Sequence, residues 1–230
     1  MIDKSAVARV HEAVLAITDD VNRLWPVGTW TERSERELWV MLMGSILSTA
    51  VPDSQASRVL SRIVESDLSD PLALADRDGN DLEDQFESLL RGSPAEPSYR
   101  FPRQRARQLA AIAGRLYCRG TDITGHLEVG APPIVLRRHM VSELCVGPKQ
   151  ASLFLRNSGF TSQVAIFDRH VWRYMIAAGL ASDCIPPSRI GPYEEAESAF
   201  LYQAATLGVA LAAFDRALWV VYRAMPSHYE

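Results

Sequence analysis

Apolar residues return every three or four positions along most of this 230-residue chain, the period of a helix buried on one side. Val7, Val10, Val14, Ile17, Val21 and Leu24 predict a first helix with a single apolar stripe. From Leu38 to Ala50 (LWVMLMGSILSTA) the chain is apolar nearly all round, which suits a helix enclosed in a core. Pro52-Asp53 restarts a shorter helix with Ala56, Val59, Leu60 and Ile63 on one side. Between 66 and 100 the pattern is cut by Pro71, Asp78-Gly79-Asn80, Gly92, Pro94 and Pro97, and predicts short helices joined by loops. Pro102 then opens a helix, since the N–H it lacks has no partner in a first turn anyway. The stripe of that helix is Ala106, Leu109, Ile112, Ala113 and Leu116, and Gly120 ends it.

Pro132-Pro133 opens the next helix, which runs to about Leu144. Gly147-Pro148 marks a tight hairpin, and a further helix follows from Pro148 to about Asn157. After an extended link over 164–167, Asp168 begins another helix. Two final helices cover about Tyr193 to Ala205 and Val209 to Ala224, with Gly208 between them. Only the link resembles a strand, so the expected fold class is all-α. No internal repeat or low-complexity segment interrupts this reading.

Composition narrows the classes. Apolar residues make up 47% and charged residues 23%, enough for a core and too few charges for a disordered chain. A net charge of −4 excludes a strongly basic nucleic-acid coat protein. The most apolar stretch, 207–225, is broken by Asp215, Arg216 and Arg223, so no membrane span is expected. The start Met-Ile-Asp-Lys has no leader pattern, and the three cysteines (Cys118, Cys145, Cys184) form no C-x-x-C pair. A cytoplasmic protein without disulfides, zinc or an iron–sulfur cluster is the expectation.

The charge is unevenly spread. Residues 1–99 carry 9 basic and 18 acidic side chains, whereas 100–230 carry 15 and 10. Arg100, Arg103, Arg105, Arg107, Arg115 and Arg119 fall within one stretch; such a run is more often a solvated helix face, and a set of phosphate contacts is the other reading. Only two of the 24 basic residues are lysines, Lys4 and Lys149. A lysine where arginine is otherwise the rule points to chemistry that needs an amine, because arginine stays protonated and cannot be a nucleophile.

Lys149 sits in the hairpin itself. The glycine lets the backbone turn and a phosphate approach, and the following helix directs its positive end at the turn. The run Leu144-Cys-Val-Gly-Pro-Lys-Gln-Ala-Ser152, Phe154-Leu-Arg-Asn157 and Ala165-Ile-Phe-Asp168-Arg-His170 resembles the helix–hairpin–helix DNA glycosylase superfamily. Within it, the short archaeal and bacterial 8-oxoguanine DNA glycosylase/AP lyase branch is most similar. Tyr99-Arg-Phe-Pro102, Glu37-Leu-Trp39, Ile46-Leu-Ser48 and Phe214-Asp-x-x-Leu-Trp219 carry the likeness over about residues 36–223.

The resemblance implies two helical lobes, 36–145 and 1–35 with 146–230, with the helix–hairpin–helix (about 133–157) at a cleft between them. It implies that Lys149 attacks C1′ of a nucleotide flipped out of the stack, and that Asp168, 19 positions on, assists. An amine at a helix N-terminus near other cations has its charged form disfavoured, which suits that role. A Schiff base would follow, with β-elimination of the 3′ phosphate. Asp168 by residue type also suits a plain helix N-cap. Val146, Gly147, Gln150, Ala151, Ser152, Arg156 and His170 are implied DNA contacts, and Phe214, Asp215 and Trp219 implied base-pocket residues. No cofactor is implied beyond a monovalent or divalent cation at the hairpin; the implied partner is duplex DNA with a damaged base, and the protein a monomer.

Three positions depart from the branch's pattern. Cys145 stands where the first hairpin glycine is usual, Ala50 where a gap-filling glutamine is frequent, and the chain closes on Pro226-Ser-His-Tyr-Glu230 instead of a lysine. The expected activity is excision of an oxidised purine, 8-oxoguanine first, with lyase cleavage. The departures leave two alternatives open: the same chemistry on another modified guanine or on single-stranded nucleic acid, or a non-catalytic DNA-binding module.

Overall fold

The computed structural model describes residues 4–25, 29–93, 97–127 and 130–225. Among them every regular element is helical, in keeping with the all-α expectation, and twelve α-helices follow in order. They divide between two compact units, Thr29–Val146 and Met1–Gly28 with Gly147–Glu230.

The first unit holds α2 (Glu35–Leu47), α3 (Asp53–Val64), α4 (Pro71–Leu74), α5 (Gly79–Arg91), α6 (Pro102–Leu116), α7 (Ile123–His126) and α8 (Pro133–Glu143). Ser34 and Glu37 start α2 by exchanging side-chain and backbone hydrogen bonds, which satisfies two amides that a helix end leaves open. Its Leu38, Trp39, Leu42, Met43, Ile46 and Leu47 are all buried, as the apolar run predicts. The 66–100 region is more regular than its breakers suggest. Asp78 caps α5 by accepting from the Asn80 amide at 2.8 Å, and Leu82, Phe86 and Leu90, four apart, bury its stripe against α6. Pro71 and Gly79 each begin a helix and Gly92 ends one, so these breakers do not prevent a thirteen-residue helix between them.

The second unit holds α1 (Lys4–Leu24), α9 (Pro148–Ser158), α10 (Arg169–Ala177), α11 (Ile190–Thr206) and α12 (Leu211–Ala224). Val10, Val14 and Val21 bring the α1 stripe onto α12, and α10 and α11 also pack on α12. The centre is aromatic: Phe167, Tyr174, Tyr193, Phe200 and Phe214 are fully buried, with ring centroids between 4.9 and 5.7 Å for Phe167–Tyr193, Phe200–Phe214, Tyr174–Phe214 and Phe167–Phe200. Edge-to-face and tilted pairs of this kind add to the burial of apolar area.

Candidate functional site

The link over 164–167 forms neither helix nor strand. Val164, Ala165, Ile166 and Phe167 are buried, so their main-chain groups must find partners inside the protein. Side chains supply them. The Ala165 amide donates to Glu197 Oε1 at 2.7 Å, that of Ile166 to Asp215 Oδ2 at 2.6 Å, and that of Phe167 to Tyr193 Oη at 3.1 Å. The Tyr193 hydroxyl donates in turn to the Ala165 carbonyl at 2.9 Å. Glu197, Tyr193 and Asp215 come from α11 and α12, and together they act as the missing neighbouring strand.

Asp215 is held in turn by Arg156 of α9, whose guanidinium lies 2.8 Å from Oδ2 and 3.1 Å from Oδ1. The two residues are 2% and 5% exposed. Burial pushes the Asp215 carboxyl above its ordinary range, while the guanidinium and the Ile166 amide pull against that rise. The expected roles of both residues are therefore corrected. Arg156 is turned inward to an ion pair and not outward to a phosphate. Asp215 anchors the link, and Phe214 is packed among Tyr174 and Phe200 and offers no surface to a base.

The anchored link delivers Asp168 to the N-terminus of α10. Asp168 Oδ1 accepts from the amides of His170 at 2.8 Å and Val171 at 2.9 Å, so the capping reading of this residue holds. Its carboxylate is half-buried. His170 follows, with its Nε2 3.2 Å from Arg169 Nε, and its Nδ1 is buried without a hydrogen-bond partner. Burial pulls the His170 imidazole below its ordinary value, Asp168 opposes this, and Arg169, Arg173 and Arg223 add to it.

The hairpin crosses the boundary between the units, which falls between Val146 and Gly147. On the side of the first unit, Cys145 has a φ of 53°, a left-handed conformation that glycine adopts at little cost and cysteine does not. Among the described residues Ala50, at 63°, is the other non-glycine residue with a positive φ. Two side chains of α6 hold Cys145: Gln108 Nε2 donates to the Cys145 carbonyl at 3.3 Å, and Arg115 Nη1 reaches the Glu143 carbonyl at 3.0 Å and the Cys145 sulfur at 2.7 Å.

On the side of the second unit, Gly147 is the N-cap of α9 with an ordinary φ of −64°. Its value is compactness: a Cβ there would stand 3.3 Å from Gln150 Oε1, which accepts the Gly147 amide at 2.9 Å. Lys149 is the second residue of α9 and half-buried. Val146, Gln150, Ala151 and Ser152 are buried as whole residues, 0–5% exposed, and the Val146 and Ala151 amides already donate to the Met140 and Gly147 carbonyls. Of the implied pocket residues Trp219 alone keeps a partly open face; the Arg223 guanidinium lies over it, 4.7 Å from the ring centroid. Residues 226–230 lie outside the described residues.

Glu197 and Tyr193 were not legible as site residues. Both read as ordinary positions on a helix, and only a buried chain without a sheet partner explains them. Among the described residues no group of three or more histidine, cysteine, aspartate or glutamate side chains is arranged to hold a metal ion.

Residues 74–209 match the family model described as 8-oxoguanine DNA glycosylase. Among solved structures, the 8-oxoguanine DNA glycosylase of Methanocaldococcus jannaschii superposes with a TM-score of 0.70 at 21% identity, over 94% of this chain and 93% of its own. The same organism's 8-oxoguanine glycosylase/lyase, in complex with a 15mer DNA containing 8-oxoguanine, gives 0.72 at 19% identity over 94% and 98%. The 8-oxoguanine DNA glycosylase of Thermotoga maritima gives 0.63 at 22% identity, covering 94% of each chain. No curated protein matches the chain significantly.

Proposed function

The chain belongs to the 8-oxoguanine DNA glycosylase family, and on that premise we propose that it removes an oxidised purine from DNA, 8-oxoguanine first, and then cleaves the strand through Lys149. The observation that carries the reading is the presence, within one compact unit, of an amine in the first turn of the hairpin helix and a carboxylate at the end of a buried link held by side-chain hydrogen bonds.

In the proposed reaction the target nucleotide leaves the stack, and the neutral Lys149 amine attacks its C1′. The bond from C1′ to the base breaks, its electron pair leaving with the base, which takes up a proton. Asp168 stabilises the cationic sugar and moves the proton that the amine loses. Ring opening gives an imine between Lys149 and C1′. Loss of the C2′ proton then expels the 3′ phosphate, and water releases the lysine. The positive end of α9 favours the neutral amine and attracts a strand phosphate to the hairpin main chain.

Borohydride reduction during reaction with an 8-oxoguanine duplex tests this directly. A covalent protein–DNA adduct is expected, absent in Lys149→Gln. Base release by the wild type without any adduct would leave a glycosylase and remove the lyase step; an adduct that persists in Lys149→Gln would displace the amine.

A further inference from the structure

Beyond the hairpin, α10 and α12 present a second group of cations beside Asp168. Arg169, His170 and Arg173 lie on the first two turns of α10, and Arg223 on the last turn of α12. All three guanidiniums act on the His170 imidazole electrostatically, with Asp168 the acidic group that opposes them. Like charges gathered in this way repel, and the protein as a whole is acidic, so chance does not favour the arrangement.

Two of the arginines are also built in. Arg173 lies over the ring of Tyr222, 5.6 Å from its centroid, and Arg223 over Trp219 at 4.7 Å. Trp219, Tyr222 and Arg223 are spaced three and four apart on α12, and His170 and Arg173 three apart on α10, so each set shares one helix face. A guanidinium held over an aromatic ring is confined to one side of that ring. It is thereby oriented for a planar or tetrahedral oxyanion before one arrives, and less side-chain entropy is lost on binding. The buried, unpartnered Nδ1 of His170 adds a polar atom without a bond in the same place.

We propose that Arg173 and Arg223, each backed by an aromatic ring of α12, form a phosphate clamp that grips the nucleic-acid strand next to the reacting nucleotide, separately from the hairpin. The clamp rests on the glycosylase reading, since it is the closeness to Asp168 that makes the anion a strand phosphate. Contacts of this type set register and carry no sequence information, so the clamp serves any base that the pocket accepts.

The test is the salt dependence of binding to a duplex that carries a stable abasic-site analogue, read by fluorescence anisotropy. Each phosphate contact on B-form DNA contributes about 0.9 to the slope of log K against log salt. Arg173→Gln with Arg223→Gln should lower the slope by about 1.8, and each single change by about half of that. Arg173→Lys with Arg223→Lys keeps the charges and loses the stacked fork. It should keep the slope and lose affinity, and it guards against misreading a fold defect in the glutamine variants. Arg58→Gln, at an exposed arginine of the other unit, should leave the slope unchanged. A double variant that melts like the wild type and keeps its full slope overturns the clamp. An equal loss with Arg58→Gln overturns it as well, since bulk charge is then the cause. If the wild type binds no DNA at all, the glycosylase reading falls together with the clamp; if it binds and only the double variant's slope is wrong, the clamp alone falls.

Discussion

Replacing Asp215 by alanine should unfold the second unit more readily than any single change on its surface. Two costs follow from the geometry. Arg156, 5% exposed, would keep its charge and lose its carboxylate, which for a buried pair costs about 3–5 kcal/mol. The Ile166 amide would lose a 2.6 Å acceptor in a buried link, a further 1–3 kcal/mol by the usual range for an orphaned donor, or roughly 2. The two share one carboxylate and do not add fully, so a loss of about 4–6 kcal/mol is expected. At about 2–4 °C per kcal/mol for a chain of this size, the melting temperature should fall by on the order of 10–20 °C. Urea unfolding followed by tryptophan fluorescence measures it, because Trp172 and Trp219 both lie in this unit. The companion is Arg156→Met with Asp215→Leu, which removes both charges and fills the space. It should recover at least about 2 kcal/mol of the loss, as replaced buried ion pairs do elsewhere. A loss under about 1 kcal/mol for Asp215→Ala, or a double variant no more stable than the single one, would refute the claim that this pair supports the link.

Asp168 has two roles that substitution can separate: Asp168→Ser keeps a side-chain oxygen for the His170 and Val171 amides, so stability should change by less than about 0.5 kcal/mol while base release in single turnover falls at least about 100-fold. Asp168→Ala should lose the rate and about 1 kcal/mol of stability as well, and a serine variant with wild-type rate would reduce Asp168 to a cap. At Cys145, Cys145→Gly should equal or exceed wild-type stability, by up to about 1 kcal/mol, and Cys145→Val should lose about 1–2, because only glycine accepts a φ of 53° freely; the reverse order in urea titrations contradicts the strain. Burial raises the Glu35 carboxyl above its usual value of 4.5, against hydrogen bonds from the Ile123 amide at 2.9 Å and the Tyr117 hydroxyl at 2.8 Å. A folded-state pKa above the unfolded one means that stability is full below pH 4.5 and declines as the pH rises through the folded value. Glu35→Gln should therefore gain on the wild type from pH 4.5 upward, and a difference that does not vary with pH would exclude a titrating Glu35.

Most helices could be read from spacing because each buries one stripe on its neighbours, and burial is what the apolar period records. The helix over Gly79–Arg91 shows the limit of breaker counting. Asp78-Gly79-Asn80 looks like a loop, yet the aspartate is a cap and the glycine the first helical residue. Punctuation residues mark where helices start and stop, and the Leu82, Phe86, Leu90 stripe decides what lies between.

The proposed reacting groups of the candidate site were legible and their supports were not. Lys149 stands out because arginine fills nearly every other basic position, and Asp168 because its spacing of 19 from that lysine matches the pattern of the family the chain resembles. Arg156 and Asp215 stood out for the wrong reason: a charged residue within a recognisable motif suggests contact with substrate, but charge says nothing about which way a side chain turns. What turns these two inward is the link over 164–167, four buried residues with no strand beside them. Such a segment demands donors and acceptors from elsewhere in the chain, and the demand depends on a tertiary arrangement that no local window contains. Glu197 and Tyr193 meet it from a helix some thirty residues away, in positions with no motif of their own. In this unit the motif thus codes for two things at once: the two groups proposed for the chemistry, and a hidden polar scaffold that fixes where the second of them stands.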